Sequence, residues 1–383
     1  MRFIHTSDWH IGRIFRFADE SSLVLRDERL EAIGRLCQVA RAHNAPVVLV
    51  AGDIYDLEVP AERTLRQPIE RMRSFPEIAW HLIPGNHDRH SPRGPWERLL
   101  RLQTQEGLPD NIHFHLQPQA APIAGTGAWL LPGIPARRHD TADPTAQLDA
   151  MPTPEAAIRI GIAHGSVTSF GTDAAAAQVA IAPDRAARAG LAYLALGDWH
   201  GATQISERCW YSGTPETDGF DKGGEGGGDA LVVDIAGPGA TPVVARHRIG
   251  RFAWVQIEHA LHNATDIDIL ETRLRGLADD LASVLVWLRV TGTLSLAERE
   301  VFENRITHAL GSALRVLRID DAGLIARPSA TDLEDVDHAG FVRTAADRLA
   351  ARASDPADPD REAAADALQR LYILTKRQAG GAA

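Results

Sequence analysis

The chain opens on an apolar, strand-forming run that ends directly in Asp-x-His: Met1-Arg2-Phe3-Ile4-His5-Thr6-Ser7-Asp8-Trp9-His10. β-Branched and aromatic residues fit a pleated, buried surface. In open α/β sheets, ligands gather outside the carboxyl ends of the strands. The pattern then recurs four times. Val47-Val48-Leu49-Val50-Ala51 stops at Gly52-Asp53-Ile54-Tyr55-Asp56, and the run from Ile78 to Ile83 leads into Pro84-Gly85-Asn86-His87-Asp88. Ile158 to Ala163 stops at His164-Gly165-Ser166, and Leu191 to Leu196 ends in Gly197-Asp198-Trp199-His200. Helical periodicity separates the early strands: Leu23 to Ala42 carries Leu30, Ile33, Leu36, Val39 and Ala40 on one face, and a second helix runs from Ala61 to Ser74 after Pro60. Strands alternating with helices point to an α/β fold.

The strand-end residues are Asp8, His10, Asp53, Asn86, His87, His164, Asp198 and His200. Carboxylate and amide oxygens mixed with imidazoles suit divalent Mn, Fe or Zn. Two such ions about 3.5–4 Å apart can clamp the attacking and leaving oxygens of a phosphoester, with Asp53 as the shared ligand. Taken singly, each of these residues is an ordinary cap or surface group; the ordered set carries the reading.

The rest of the chain is read more coarsely. Arg89 to Asp110 is irregular and punctuated by prolines, Trp129 to Leu131 is a strand, and Pro183 to Ala189 is a helix closed by Gly190. Strands near Cys209 to Ser212, Ala230 to Ile235 and Val243 to His247 look antiparallel, with Gly223 to Gly228 as a mobile hairpin loop. Composition shifts near Gly250. Beyond it, strand Arg251 to Glu258, helix Asp268 to Leu281, strand Val284 to Thr291, helix Leu296 to Leu310 and strand Leu314 to Ile319 suit a small α/β or ferredoxin-like module. Two helices, about 337–352 and 360–377, flank Asp355-Pro356-Ala357-Asp358-Pro359. The expected domains are therefore 1–249, 250–330 and 331–383.

Composition narrows the function. At 383 residues and 44% hydrophobic, the chain can bury more than one core. No apolar run is long enough to span a bilayer and no leader precedes the first strand, so a cytoplasmic protein without a membrane partner is expected. Cys37 and Cys209 are isolated and suggest neither a disulfide framework nor a cysteine zinc site. A net charge of −11 argues against a uniformly positive surface, so any nucleic-acid contact must come from a local patch, bound metal or a partner. Only Lys222 and Lys376 of the 40 basic residues are lysines, a bias that reads as codon usage before phosphate recognition.

On Asp-x-His, Gly-Asp, Gly-Asn-His-Asp, His and a final Gly-x-x-His in that order, the sequence resembles the metallophosphoesterase superfamily over about its first 245 residues. Within it, Thr6-Ser7-Asp8-Trp9-His10-Ile11-Gly12, Gly52-Asp53-Ile54-Tyr55-Asp56 and Ser212-Gly213-Thr214-Pro215 look like the SbcD-type DNA repair nucleases. The resemblance implies a four-layer αββα sandwich with a small α/β capping domain and C-terminal helices. It implies one metal held by Asp8, His10, Asp53 and His200, and another held by Asp53, Asn86, His164 and Asp198. His87 would be the general acid, Asp88 an orienting partner, and two divalent ions, Mn foremost with Mg, Fe or Zn as alternatives, the cofactors. It further implies DNA as substrate, an SbcC-type ATPase partner docked on the C-terminal helices, and a homodimer.

One departure stands out: Gly197-Asp198-Trp199-His200 has aspartate where the family usually has histidine. An added carboxylate favours a harder ion such as Mn or Mg over Zn. Trp9, Trp199 and Tyr55 either wall the site for a base or pack beneath it. Arg273, Arg275, Arg289 and Arg299 either reach phosphates or are solvated. Ala364, Leu368, Leu371 and Tyr372 form a stripe for a partner helix or for the chain's own domain. A DNA phosphodiesterase, acting as a 3′→5′ exonuclease with single-strand endonuclease activity, is the leading expectation. A small-phosphodiester hydrolase and a noncatalytic DNA-end scaffold are the alternatives.

Overall fold

The computed structural model describes every residue except 135–142, 169–179, 221–225, 328–339 and 381–383. The glycine run expected to form a hairpin loop falls partly on 221–225, outside the described residues. Two compact units result, Met1–Phe252 and Ala253–Ala383.

In the first unit the strands, in chain order, are β1 Arg2–Thr6, β2 Val47–Val50, β3 Ala79–Leu82, β4 Ile112–Phe114, β5 Ala121–Ile123, β6 Ala128–Gly133 and β7 Ile158–His164. They continue with β8 Ser166–Val167, β9 Ala180–Ile181, β10 Tyr193–Gly197, β11 Thr203–Ser206, β12 Cys209–Tyr211, β13 Asp229–Asp234 and β14 Val243–Arg248. Two six-stranded sheets form, in the orders β14-β13-β1-β2-β3-β4 and β11-β12-β10-β7-β6-β5. The run β1 to β4 is parallel, as are β6, β7, β10 and β12, and antiparallel strands close the edges. β12 thus runs parallel to β10 and antiparallel to β11, in place of the wholly antiparallel pairing expected of it.

Strands buried on both faces read as continuous apolar runs, and Val47–Val50 has all four residues buried. The core divides by layer. Ile4, Val48, Val50, Trp80 and Leu82 pack against Leu30, Ile33, Leu36, Leu65, Ile69 and Met72 of helices Ser21–Ala42 and Glu62–Arg73. Phe3, Leu49, Ile83, Ile160, Ile162, Tyr193 and Val233 fill the space between the sheets. Leu131, Leu148, Ala186, Leu194 and Leu196 pack helical turns on the far face of the second sheet. The four layers are α, β, β and α.

The segment expected to be irregular, Arg89 to Asp110, contains the helix Pro95–Glu106. Proline is tolerated at the first helical turn, where its missing N–H has no partner to lose. Trp96 and Leu99 are buried and anchor the helix.

The second unit has β15 Ala253–Leu261, β16 Val284–Ser295 and β17 Val316–Arg327 in one parallel sheet. Helix Ala264–Arg275 and the helical segment 296–313 make the two crossovers. Consecutive parallel neighbours are successive βαβ units, so the α/β alternative holds and the ferredoxin-like one, which needs antiparallel pairing, does not. Arg273, Arg275, Arg289 and Arg299 are engaged within this unit: Arg275 with Glu271, Arg289 with Glu258 and Asp320, Arg299 with Glu303 and Asp321, and Arg273 with the Glu258 carbonyl. Helices Phe341–Ser354 and Arg361–Gly380 close the chain. Leu368 is buried with Ala346 and Leu296, so the stripe on the last helix packs at least partly on its own unit; the Tyr372 side chain lies outside the described residues. Among the described residues, no helix is long and apolar enough to cross a membrane.

Candidate metal centre

Five parallel strands, β1, β2, β3, β7 and β10, end at one edge of the sandwich, and each turns sharply to present polar side chains. Asp8, His10, Asp53 and Asp198 have φ of 55°, 45°, 54° and 106°. These left-handed conformations are uncommon outside glycine, though Asp, Asn and His tolerate them best. They make up four of the six non-glycine residues with positive φ among those described. Backbone strain persists where surrounding structure over-determines it, and here the turns lock together: Asp8 N–H donates to the Gly52 carbonyl at 3.0 Å and His10 N–H to the Asp53 carbonyl at 3.0 Å.

The glycines of the motifs are required by approach distances. A Cβ on Gly85 would stand 2.0 Å from Asp53 Oδ1, one on Gly197 would stand 2.0 Å from the Ala51 carbonyl oxygen, and one on Gly52 would stand 2.5 Å from His164 Nδ1. Overpacking of this kind costs roughly 1–3 kcal/mol. Gly85→Ala is therefore expected to lower thermal stability and to displace Asp53, so that added Mn no longer raises the melting temperature; an unchanged metal-dependent shift would contradict the packing argument.

The side chains converge in overlapping groups: Asp8 with His10 and His200, His10 with Asp53 and His87, and Asp8 with Asp53 and His164, each with ligand atoms within 4.8 Å of one another. Asp53 Oδ2 lies 3.9 Å from His10 Nε2 and 3.5 Å from His164 Nε2, between the two imidazoles as a shared ligand must. His10 Nε2 and His200 Nε2 face each other at 3.3 Å. Two imidazole nitrogens bound to one ion at about 2.0–2.1 Å each in tetrahedral geometry stand at about that separation. His164 donates through Nδ1 to the Ala51 carbonyl at 2.8 Å, which leaves its buried Nε2 with no hydrogen-bond partner, aimed at Asp53 and, at 3.7 Å, at Asp198 Oδ1. An orphaned imidazole nitrogen among carboxylates fits a divalent cation.

Asp198 takes the place expected for the second position. Its Oδ1 accepts from Asn86 Nδ2 at 3.0 Å, its Oδ2 accepts from Ser166 Oγ, and its N–H donates to Asp8 at 3.2 Å. Much negative charge is gathered in a small volume. Burial pushes Asp8 up to about 6 against the pull of His164 and His200. Burial also opposes ionisation of Asp53, yet His164, His10 and His87 hold it well below the usual carboxylate range. Burial disfavours a charged His164, but Asp53, Asp8 and Asp198 together keep its pKa well above the usual histidine value.

Asp88, expected from its place in the motif to orient His87, serves the backbone instead. Its Oδ1 accepts from Gly85 N–H at 2.7 Å, and its Oδ2 accepts from Ile54 N–H at 2.8 Å and Tyr55 N–H at 3.2 Å. It ties the β2 and β3 turns together; burial and the Asp53 charge push its pKa up to about 7. The exposed His87 ring meets the Asp56 carbonyl through Nδ1 at 3.1 Å, and its N–H donates to Asp53 Oδ1 at 2.9 Å. Trp9 packs beneath the site, edge-on to Trp80 with its indole N–H on Thr6 Oγ1. Tyr55 is buried and donates to the Leu65 carbonyl, whereas Trp199 is 42% exposed.

Asp218 escaped the sequence reading. Its Oδ1 accepts from His200 Nδ1 at 3.0 Å, and its Oδ2 meets Arg13 at 2.9 Å and the fully buried Arg29 at 3.3 Å. Burial opposes its charge, but His200, Arg29 and Arg13 hold it well below the usual range. A carboxylate on Nδ1 fixes the tautomer that leaves Nε2 free to ligate. The signal lay just beyond Ser212-Gly213-Thr214-Pro215, whose Ser212 Oγ reaches Ser7 Oγ at 2.8 Å beside Asp8. Asp218→Asn is expected to weaken metal binding roughly 10–100-fold, read by calorimetric titration with Mn; affinity equal to wild type would show that His200 orients itself.

Residues 1–188 match the model of the calcineurin-like phosphoesterase family. Over these residues the N-terminal unit is similar to that family, whose members use divalent metals. The chain is similar to the SbcD component of the nuclease SbcCD from Staphylococcus saprophyticus, 31% identical over 134 residues, covering 31% of this chain and 34% of that protein. It is also similar to the same component from Staphylococcus epidermidis, 29% identical over 123 residues, covering 30% and 32%. These matches span about a third of the length of the curated relatives. The solved structure of TT1561 from Thermus thermophilus has a TM-score of 0.39 at 10% identity, over 65% of this chain and 98% of that one.

Proposed function

We propose that the protein is a two-metal phosphodiesterase of the SbcD type, acting on DNA ends with Mn as the preferred ion. The observation that carries the reading is the shared carboxylate, Asp53, between the His10 and His164 imidazoles. The similarity to the SbcD component of SbcCD directs the choice of DNA over other phosphodiesters. Asp8, His10, Asp53 and His200 would hold one ion, and Asp53, Asn86, His164 and Asp198 the other. Bound there, divalent ions supply a Lewis acid for the phosphoryl oxygens and lower the pKa of the attacking water.

The chain's own groups do the remaining work. Asp53 holds the β3 turn through the His87 N–H. The Asp56 carbonyl accepts from His87 Nδ1, which leaves Nε2 to carry the proton handed to the leaving 3′ oxygen. Asp88 fixes the backbone under both turns. Exonuclease action in the 3′→5′ direction, single-strand endonuclease action, an SbcC-type ATPase partner on the C-terminal helices, a DNA-guiding role for the capping domain expected over 250–330 and a homodimer belong to the same proposal.

The test compares linear DNA with small diesters, both at low salt with Mn. Degradation of DNA supports the nuclease; efficient turnover of small diesters with DNA left intact transfers the site to the smaller substrates.

A further inference from the structure

β12 runs parallel to β10 and so ends at the same edge as the five ligand-bearing strands. The residues that follow it, Ser212-Gly213-Thr214-Pro215, carry no carboxylate or imidazole. Ser212 and Thr214 are nonetheless fully buried there, and their hydrogen bonds run to two neighbours, Asp8 and His200.

On the Asp8 side, Ser7 Oγ donates to Asp8 Oδ2 at 2.5 Å and stands 2.8 Å from Ser212 Oγ. A serine hydroxyl has one proton to give, and a hydrogen bond to a carboxylate is the stronger one. Ser7 therefore spends its proton on Asp8 and accepts the proton of Ser212. The Asp198 N–H reaches both Asp8 oxygens at 3.2 Å, so the buried carboxylate is pinned from two directions. On the His200 side, Thr214 N–H donates to the His200 carbonyl at 3.0 Å, and Asp218 accepts from His200 Nδ1 at 3.0 Å. Gly213, with φ of 74°, makes the close approach possible: a Cβ there would stand 2.6 Å from the His200 carbonyl oxygen. Asp8 and His200 belong, with His10, to one convergent group of ligand atoms.

We propose that residues 212–218 form a clasp that positions Asp8 and His200 together, Ser212 acting on Asp8 through Ser7, and that this clasp sets the affinity of one of the two ions. The proposal rests on the two-metal reading above and gives a role to residues outside both ligand sets. The clasp is itself anchored: the fully buried Arg29 donates to the Glu216 carbonyl at 2.8 Å and to Thr214 Oγ1 at 3.3 Å. Asp198 has separate support, from Asn86 Nδ2 and Ser166 Oγ. Damage to the clasp therefore falls on the ion held by Asp8 and His200 and spares the other.

The test titrates Mn calorimetrically into the full, metal-stripped chain. Ser7→Ala is expected to lose roughly 10–100-fold in affinity for one ion, the same ion that Asp8→Ala loses. Ser212→Ala is expected to weaken that ion too, by a smaller factor. The double variant should bind as Ser7→Ala does, because Ser212 works only through Ser7, whereas two independent supports would give additive losses. Wild-type affinity for the other ion in all three variants separates positioning from a general loss of structure. Wild-type binding of both ions in Ser7→Ala, alongside loss of one in Asp8→Ala, would overturn the clasp and leave the metal centre standing. Equal weakening of both ions in Ser212→Ala, or additive losses in the double variant, would also overturn it. Undiminished binding in Asp8→Ala would overturn the two-metal reading and the clasp with it.

Discussion

Asp53→Asn is expected to abolish metal-dependent hydrolysis and to remove most metal binding while the chain stays folded. The Asp53 carboxylate is placed against both His10 and His164, so its replacement removes a charge from both positions at once. Asparagine retains an oxygen for the His87 N–H, which keeps the β3 turn in place. Charge stabilisation by a metal is worth several kcal/mol, and at 1.36 kcal/mol per tenfold a loss of about 4 kcal/mol is ~10³ in rate. The measurement is kcat/KM on a phosphodiester with Mn, paired with calorimetric metal titration. Retention of both full activity and metal affinity would exclude Asp53 as the shared ligand.

The second large effect falls on His87. His87→Ala is expected to lower kcat by roughly 10²–10⁴, the usual contribution of a positioned general acid, with metal content unaltered. The loss should depend on the leaving group: an alkoxide leaving from DNA needs its proton, whereas a nitrophenolate does not. The ratio of wild-type to mutant rate should therefore be large on DNA and small on a nitrophenyl diester. An equal loss on both would make His87 a group that positions substrate.

Much of this candidate centre was legible because each proposed ligand sits in a short contiguous motif at a strand end. Asp8 and His10 follow β1 directly, and the ordered recurrence in β2, β3, β7 and β10 names the fold and the chemistry together. What stayed hidden was tertiary. Asp218 contacts Arg29 across 189 positions of sequence, and beyond its place just after Ser212-Gly213-Thr214-Pro215 nothing local marks it as the support of His200. Asp88 misled because neighbours in sequence need not share a direction: its carboxylate turns to three backbone N–H groups while His87 turns to the Asp56 carbonyl. Helix Pro95–Glu106 was concealed by the proline that starts it, and of the two roles the sequence left open for Trp9, a wall for a base or packing beneath the site, the core claims the second.

The same limit applies to Asp198. The sequence shows only that aspartate replaces the usual histidine; the structure shows its Oδ1 facing His164 Nε2 and held by Asn86. The central claim is that this arrangement makes a complete two-metal site. Direct counting of tightly bound Mn per chain, in wild type and Asp198→Ala, tests it most simply. Two ions in wild type, with the second weakened or lost in Asp198→Ala and the first retained, is the predicted result. A single ion in wild type, unaffected by Asp198→Ala, would contradict the account.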